Sequence, residues 1–212
     1  MLLNSLSRRL TRRDTLSCLT QGPEHPGYRL AVQVCNLAAD KLQRNVCQYF
    51  GDLLTSSSHA SSSRARSVTP DEKDHKEDEE HLRTSHDLIK RLHHACPGVL
   101  HSVIPILETE LKADELTPRL MATQTLGEMY ADKGGPDLVR KYPTTWTTWV
   151  NRKQDKHVQV RLKCVETIAP LLVNLPEQRD TLDGMCFGVG PSVLLVPDIF
   201  LVYGRPVDGE AI

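Results

Sequence analysis

RLMATQTLGEMY (Arg119–Tyr130) is answered further along the chain by RLKCVETIAPLL (Arg161–Leu172). Each copy opens on Arg-Leu and places Thr followed by Leu or Ile at its seventh and eighth positions. Arg119 and Arg161 are 42 residues apart, inside the ~40–47-residue period of HEAT and armadillo helical units. A helix pair of that kind has an apolar face it cannot hide alone, so it stacks on a neighbour, and equivalent positions in successive pairs do equivalent work. The spacing therefore assigns Leu120, Leu126, Leu162 and Ile168 to the repeat core. It places Arg119 and Arg161 within reach of an acid of the adjoining repeat, with Asp114 and Asp155 at the preceding turns as partners or N-caps.

Working outward, the apolar steps of three and four continue on both sides. Between residues 25 and 54, Leu30, Val34, Leu37, Leu42, Val46, Tyr49 and Leu53 mark one long helix. From 81 to 179, successive runs centred on Leu88, Leu107, Leu126, Trp146 and Leu162 read as helix, turn, helix, turn. Pro105 falls inside one run and is expected to kink it, and Pro143 is expected to open a new helical turn. No alternation of period two interrupts this pattern. The fold class read from it is all-α, a HEAT/armadillo-like solenoid.

The flanks read differently. Residues 1–24 are basic at the start, with Arg8, Arg9, Arg12 and Arg13; the Arg- and Ser-rich start resembles a presequence, and the preferred reading is a basic helix end or an effect of where the chain begins. Residues 55–80 join a Ser-rich run to an acidic one, with seven acids and two lysines in 71–80, and are expected to form a disordered linker. Thr69-Pro70 inside it has the form of a proline-directed phosphorylation site, a dipeptide that any such linker can contain. Residues 180–212 carry glycines and prolines without helical period and are expected to form an irregular tail, the product of an aberrant gene model.

With a net charge of −1, the chain as a whole favours no class of partner. Its six cysteines stand singly, with no CxxC, which points to a reducing compartment. No apolar run approaches the ~20 residues of a membrane span. The histidines at 81, 86, 93, 94 and 101 lack zinc-site spacing and read as solvated or interface residues, and GVG at 188–190 lacks the strand and helix of a phosphate-binding turn. No catalytic constellation can be assembled, and no cofactor, metal or small-molecule substrate is expected. Residues 140–163 are the one locally charged segment, with seven Lys/Arg against one acid. Arg140, Lys141, Arg152, Lys153 and Lys156 are candidates for contact with DNA or an acidic partner. Trp146 and Trp149, three apart on an apolar stripe, read as repeat core.

Residues 25–54 and 87–179 resemble the fungal branch of the precocious-dissociation-of-sisters family, large HEAT-repeat regulators of cohesin. The resemblance rests on ADKLQRNVCQYF, HSVIPILE, RLMATQTLGEMYAD and the run from Trp146 to Leu162, WTTWVNRKQDKHVQVRL. It implies a piece of the N-terminal half of a non-enzymatic nuclear scaffold that acts on chromatin in sister chromatid cohesion. The implied partners are the cohesin kleisin subunit, the cohesin release factor and the cohesin acetyltransferase, with direct DNA contact by the 140–163 segment as the alternative.

Overall fold

The computed structural model describes residues 17–64 and 72–187, and among these every regular element is helical. After a helical turn at 17–20 come α1 (Tyr28–Leu37), α2 (Ala39–Arg64), α3 (Glu72–Ala95), α4 (Ile104–Leu111) and α5 (Leu116–Ala131). The order continues with α6 (Gly135–Lys141), α7 (Pro143–Val150), α8 (Val158–Glu166), α9 (Ile168–Asn174) and α10 (Arg179–Phe187). Short 3-10 turns at Pro97–Leu100, Asn151–Gln154 and Pro176–Gln178 link α3 to α4, α7 to α8 and α9 to α10. The described residues form two compact units, divided within α5 between Thr125 and Leu126.

Proline sets several of these boundaries. Pro97, Pro105, Pro136, Pro143 and Pro176 all lie at the first or second position of their elements, where the missing N–H has no intrahelical acceptor to lose. Pro105 therefore starts α4 and does not kink it. Pro170 acts in the opposite sense. Its ring crowds the carbonyl four residues back, and the second copy of the repeat breaks at Thr167 into α8 and α9, whereas the first runs unbroken through α5. Thr167 Oγ1 donates to the Cys164 carbonyl at 2.9 Å across that break.

In the first unit, α2 packs on α3 and on the Pro97–Leu100 turn. Val46, Phe50 and Leu54 of α2 are buried, as are Leu88, Ile89 and Leu92 of α3 and Leu107 and Leu111 of α4. Polar side chains fix the register along the 95–102 corner. Asn36 Nδ2 donates to the Ala95 carbonyl at 3.3 Å, Gln43 Nε2 to the Gly98 carbonyl at 2.9 Å, and Ser102 Oγ to the Gln43 carbonyl at 2.9 Å.

Three boundaries differ from the expected ones. The single helix over 25–54 is two, because Ala38 leaves helical geometry at φ −130°, ψ 29°. The anchors on the 95–98 backbone lie on both sides of that break, so tertiary contacts place it. The expected linker at 55–80 is helical up to Arg64 and again from Glu72. Extending a helix already nucleated by a packed half adds a hydrogen bond per residue, and acids suit the N-terminal end of α3. Thr69 and Pro70 lie outside the described residues. The expected irregular tail begins instead with α10, whose Leu182 and Met185 are buried; its apolar residues, Leu182, Met185, Cys186 and Phe187, all fall within six positions, too short a span to declare a period. Residues 188–212, with GVG, and residues 1–16 lie outside the described residues.

Candidate interaction surfaces

The repeat is visible in burial, and the expected core positions are buried at Leu126 and Ile168 but not at Leu120 and Leu162. Leu120 and Leu162 are equivalent, but both are only half-buried. The buried equivalents, 42 residues apart, are Pro118 and Val160, Ala122 and Cys164, Thr123 and Val165, Leu126 and Ile168, and Met129 and Leu171. Leu120 and Leu162 lie beside the buried stripe, in which small residues, Ala122 and Cys164, occupy fully buried positions.

The two arginines have equivalent roles, and these are local. Arg119 Nη1 donates to the carbonyls of Ala113, Asp114 (3.0 Å) and Glu115 (3.2 Å). Arg161 Nη1 donates to those of Asp155 (2.7 Å) and Lys156 (3.4 Å), which are the 42-residue equivalents of Ala113 and Asp114. Each guanidinium satisfies the carbonyls of the turn that enters its own helix. Asp155 is not the N-cap of α8, which is His157 without a side-chain cap bond; its Oδ1 accepts from the His157 N–H at 2.9 Å and so closes the turn that leads into the helix. Arg161→Met should cost about 1–3 kcal/mol, the usual consequence of leaving such carbonyls unmet. A thermal melt unchanged by that substitution would show the bonds to be incidental.

The charged segment divides into an outward and an inward set. Arg140 and Lys141 are exposed on the last turn of α6, where the helix dipole favours cations, and Lys156 is exposed on the turn before α8. Arg152 does not belong with them. Its Nη1 lies 3.1 Å from Asp155 Oδ2, a carboxylate whose side chain is 3% exposed. Arg152 is thus committed to neutralising a buried acid. Lys153 is half-buried and its Nζ donates to the Gly184 carbonyl of α10 at 3.4 Å. Trp146 and Trp149 of α7 are buried and stack on each other at 5.4 Å, and both meet Tyr130 edge-on, at 4.9 and 5.8 Å. An aromatic that fills a core has no face left for a nucleic-acid base.

The histidines are not a solvated group. His86 and His93 are buried, His101 is half-buried, and His81 and His94 are exposed. His86 Nδ1 lies 3.0 Å from Thr125 Oγ1, and its Nε2 lies 3.4 Å from Glu110 Oε2, on a carboxylate that is itself mostly buried. Sequence reading missed Glu110, because one acid in a helix gives no sign of which face it occupies. Among the described residues no group of three or more His, Cys, Asp or Glu could hold a metal ion, and no helix is long and apolar enough to cross a membrane.

This arrangement of hairpins bound by backbone carbonyls and aromatic core can be set beside known proteins. The family described as sister chromatid cohesion protein PDS5 matches residues 1–186. The chain belongs to the PDS5 family. Sister chromatid cohesion protein pds5 of Schizosaccharomyces pombe is 33% identical over 162 residues, which is 76% of this chain and 12% of that protein. The PDS5 homolog B-A of Xenopus laevis is 36% identical over 91 residues, or 43% of this chain and 6% of that one. The chain thus spans a small part of the length of its PDS5 relatives. In the solved structure of the Pds5–Scc1 complex, a chain of like fold matches with a TM-score of 0.62 at 17% identity, covering 78% of this chain and 23% of that one. The PDS5 match runs past Arg179 into α10, beyond the residues that carry the resemblance in the sequence.

Proposed function

We propose that this chain is a stretch of a non-enzymatic HEAT-repeat scaffold that acts on cohesin in mitotic sister chromatid cohesion, at chromatin in the nucleus. Its direct partner in this reading is the cohesin kleisin subunit, and the cohesin release factor and acetyltransferase act with it. The observation that carries the reading is the PDS5 family match over residues 1–186, supported by a like fold in a structure described as the Pds5–Scc1 complex. The organisation of the buried groups is consistent with such a role. Arg119, Arg161, Arg152 and Asp155 all serve turns and helix starts, which makes for stiff hairpins and leaves the outer faces to a partner.

A second reading is a nucleic-acid-binding module, favoured by the exposure of Arg140, Lys141 and Lys156. The two readings separate in one experiment with purified components. The chain is expected to retain the kleisin in a pull-down, and Lys141→Glu with Lys156→Glu is expected to leave its helical circular dichroism unchanged. If DNA is bound as well, that double variant should weaken it and lower the salt slope by about one per lysine. A folded chain that holds no kleisin but binds DNA in a salt-dependent way would replace the first reading with the second.

A further inference from the structure

We draw no further inference here: the strongest candidate, the cavity between α3 and α5 lined by Arg83, His86 and Lys90 of the one helix and Gln124 and Thr125 of the other, has both of its cations paired within α3, Arg83 with Glu79 and Lys90 with Asp87, and nothing in the structure shows what would occupy it.

Discussion

Trp149→Ala should cost about 3–5 kcal/mol, the usual range for deleting a large buried aromatic, and lower the melting temperature of the chain by at least about 10 °C. Trp149 is fully buried, stacks on Trp146 and meets the Tyr130 ring edge-on. Its indole also lines the space left by Gly127 of α5, where an added Cβ would lie 3.2 Å from Trp149 Cζ2 and 2.9 Å from Thr167 Cγ2. One side chain thus joins α7, the end of α5 and the junction of α8 with α9. Removing it opens a cavity whose walls belong to different helices and cannot collapse together. The measurement is a thermal melt followed by circular dichroism at 222 nm, with Lys141→Glu as a surface control that should leave the midpoint within about 1 °C. A Trp149→Ala midpoint as close as the control's would mean that these rings do not hold the second unit together.

Gly135→Ala is also expected to be damaging, although it adds only one carbon. A Cβ at this position would lie 1.9 Å from the Tyr130 carbonyl oxygen and 2.8 Å from its carbonyl carbon. The obstacle is backbone, which no rotamer change relieves. Relief requires α6 to move away from the end of α5, breaking the bond from the Gly135 N–H to the Asp132 carbonyl (2.8 Å) and shifting Tyr130 within the aromatic cluster. Overpacking of that kind costs about 1–3 kcal/mol and sometimes more. The comparison within the same unit is Gly184→Ala in α10, where nothing lies within 4 Å of the added carbon. That change should stabilise by about 0.4–1 kcal/mol through the unfolded state. Melting curves for the two variants should therefore move in opposite directions, and a Gly135→Ala chain as stable as the Gly184→Ala one would contradict the close approach of α6 to α5.

Much of the helical layout was legible, because helix formation leaves local marks. The apolar steps of three and four located the helices from Leu88 to Leu171, and the prolines and Gly134-Gly135 punctuated them. Where reading by pattern failed, the pattern was short or a neighbour overrode it. The helix over 25–54 breaks at Ala38, a residue with no local tendency to break one. The acidic run at 72–80 looks unable to order itself and is nonetheless helical, and the apolar residues of α10 span too short a stretch to show a period. The candidate surface was legible only as a net charge. Which of Arg140, Lys141, Arg152, Lys153 and Lys156 face outward depends on Asp155 and on the Gly184 carbonyl, and neither is marked in the sequence as a partner.

The sequence by itself determined the 42-residue repeat, the all-α class and the positions at which proline admits a new helix. These follow from periodicity and from restrictions on single residues, and both are written along the chain. Only the tertiary structure decided that Ala122 and Cys164 are core while Leu120 and Leu162 stand half-exposed. It alone showed that Arg119 and Arg161 bind the carbonyls of their own turns. The reason is geometric: apolar steps of three and four mark a helix and its approximate inward face, and which residues at the edge of that face are covered is decided by what packs against it.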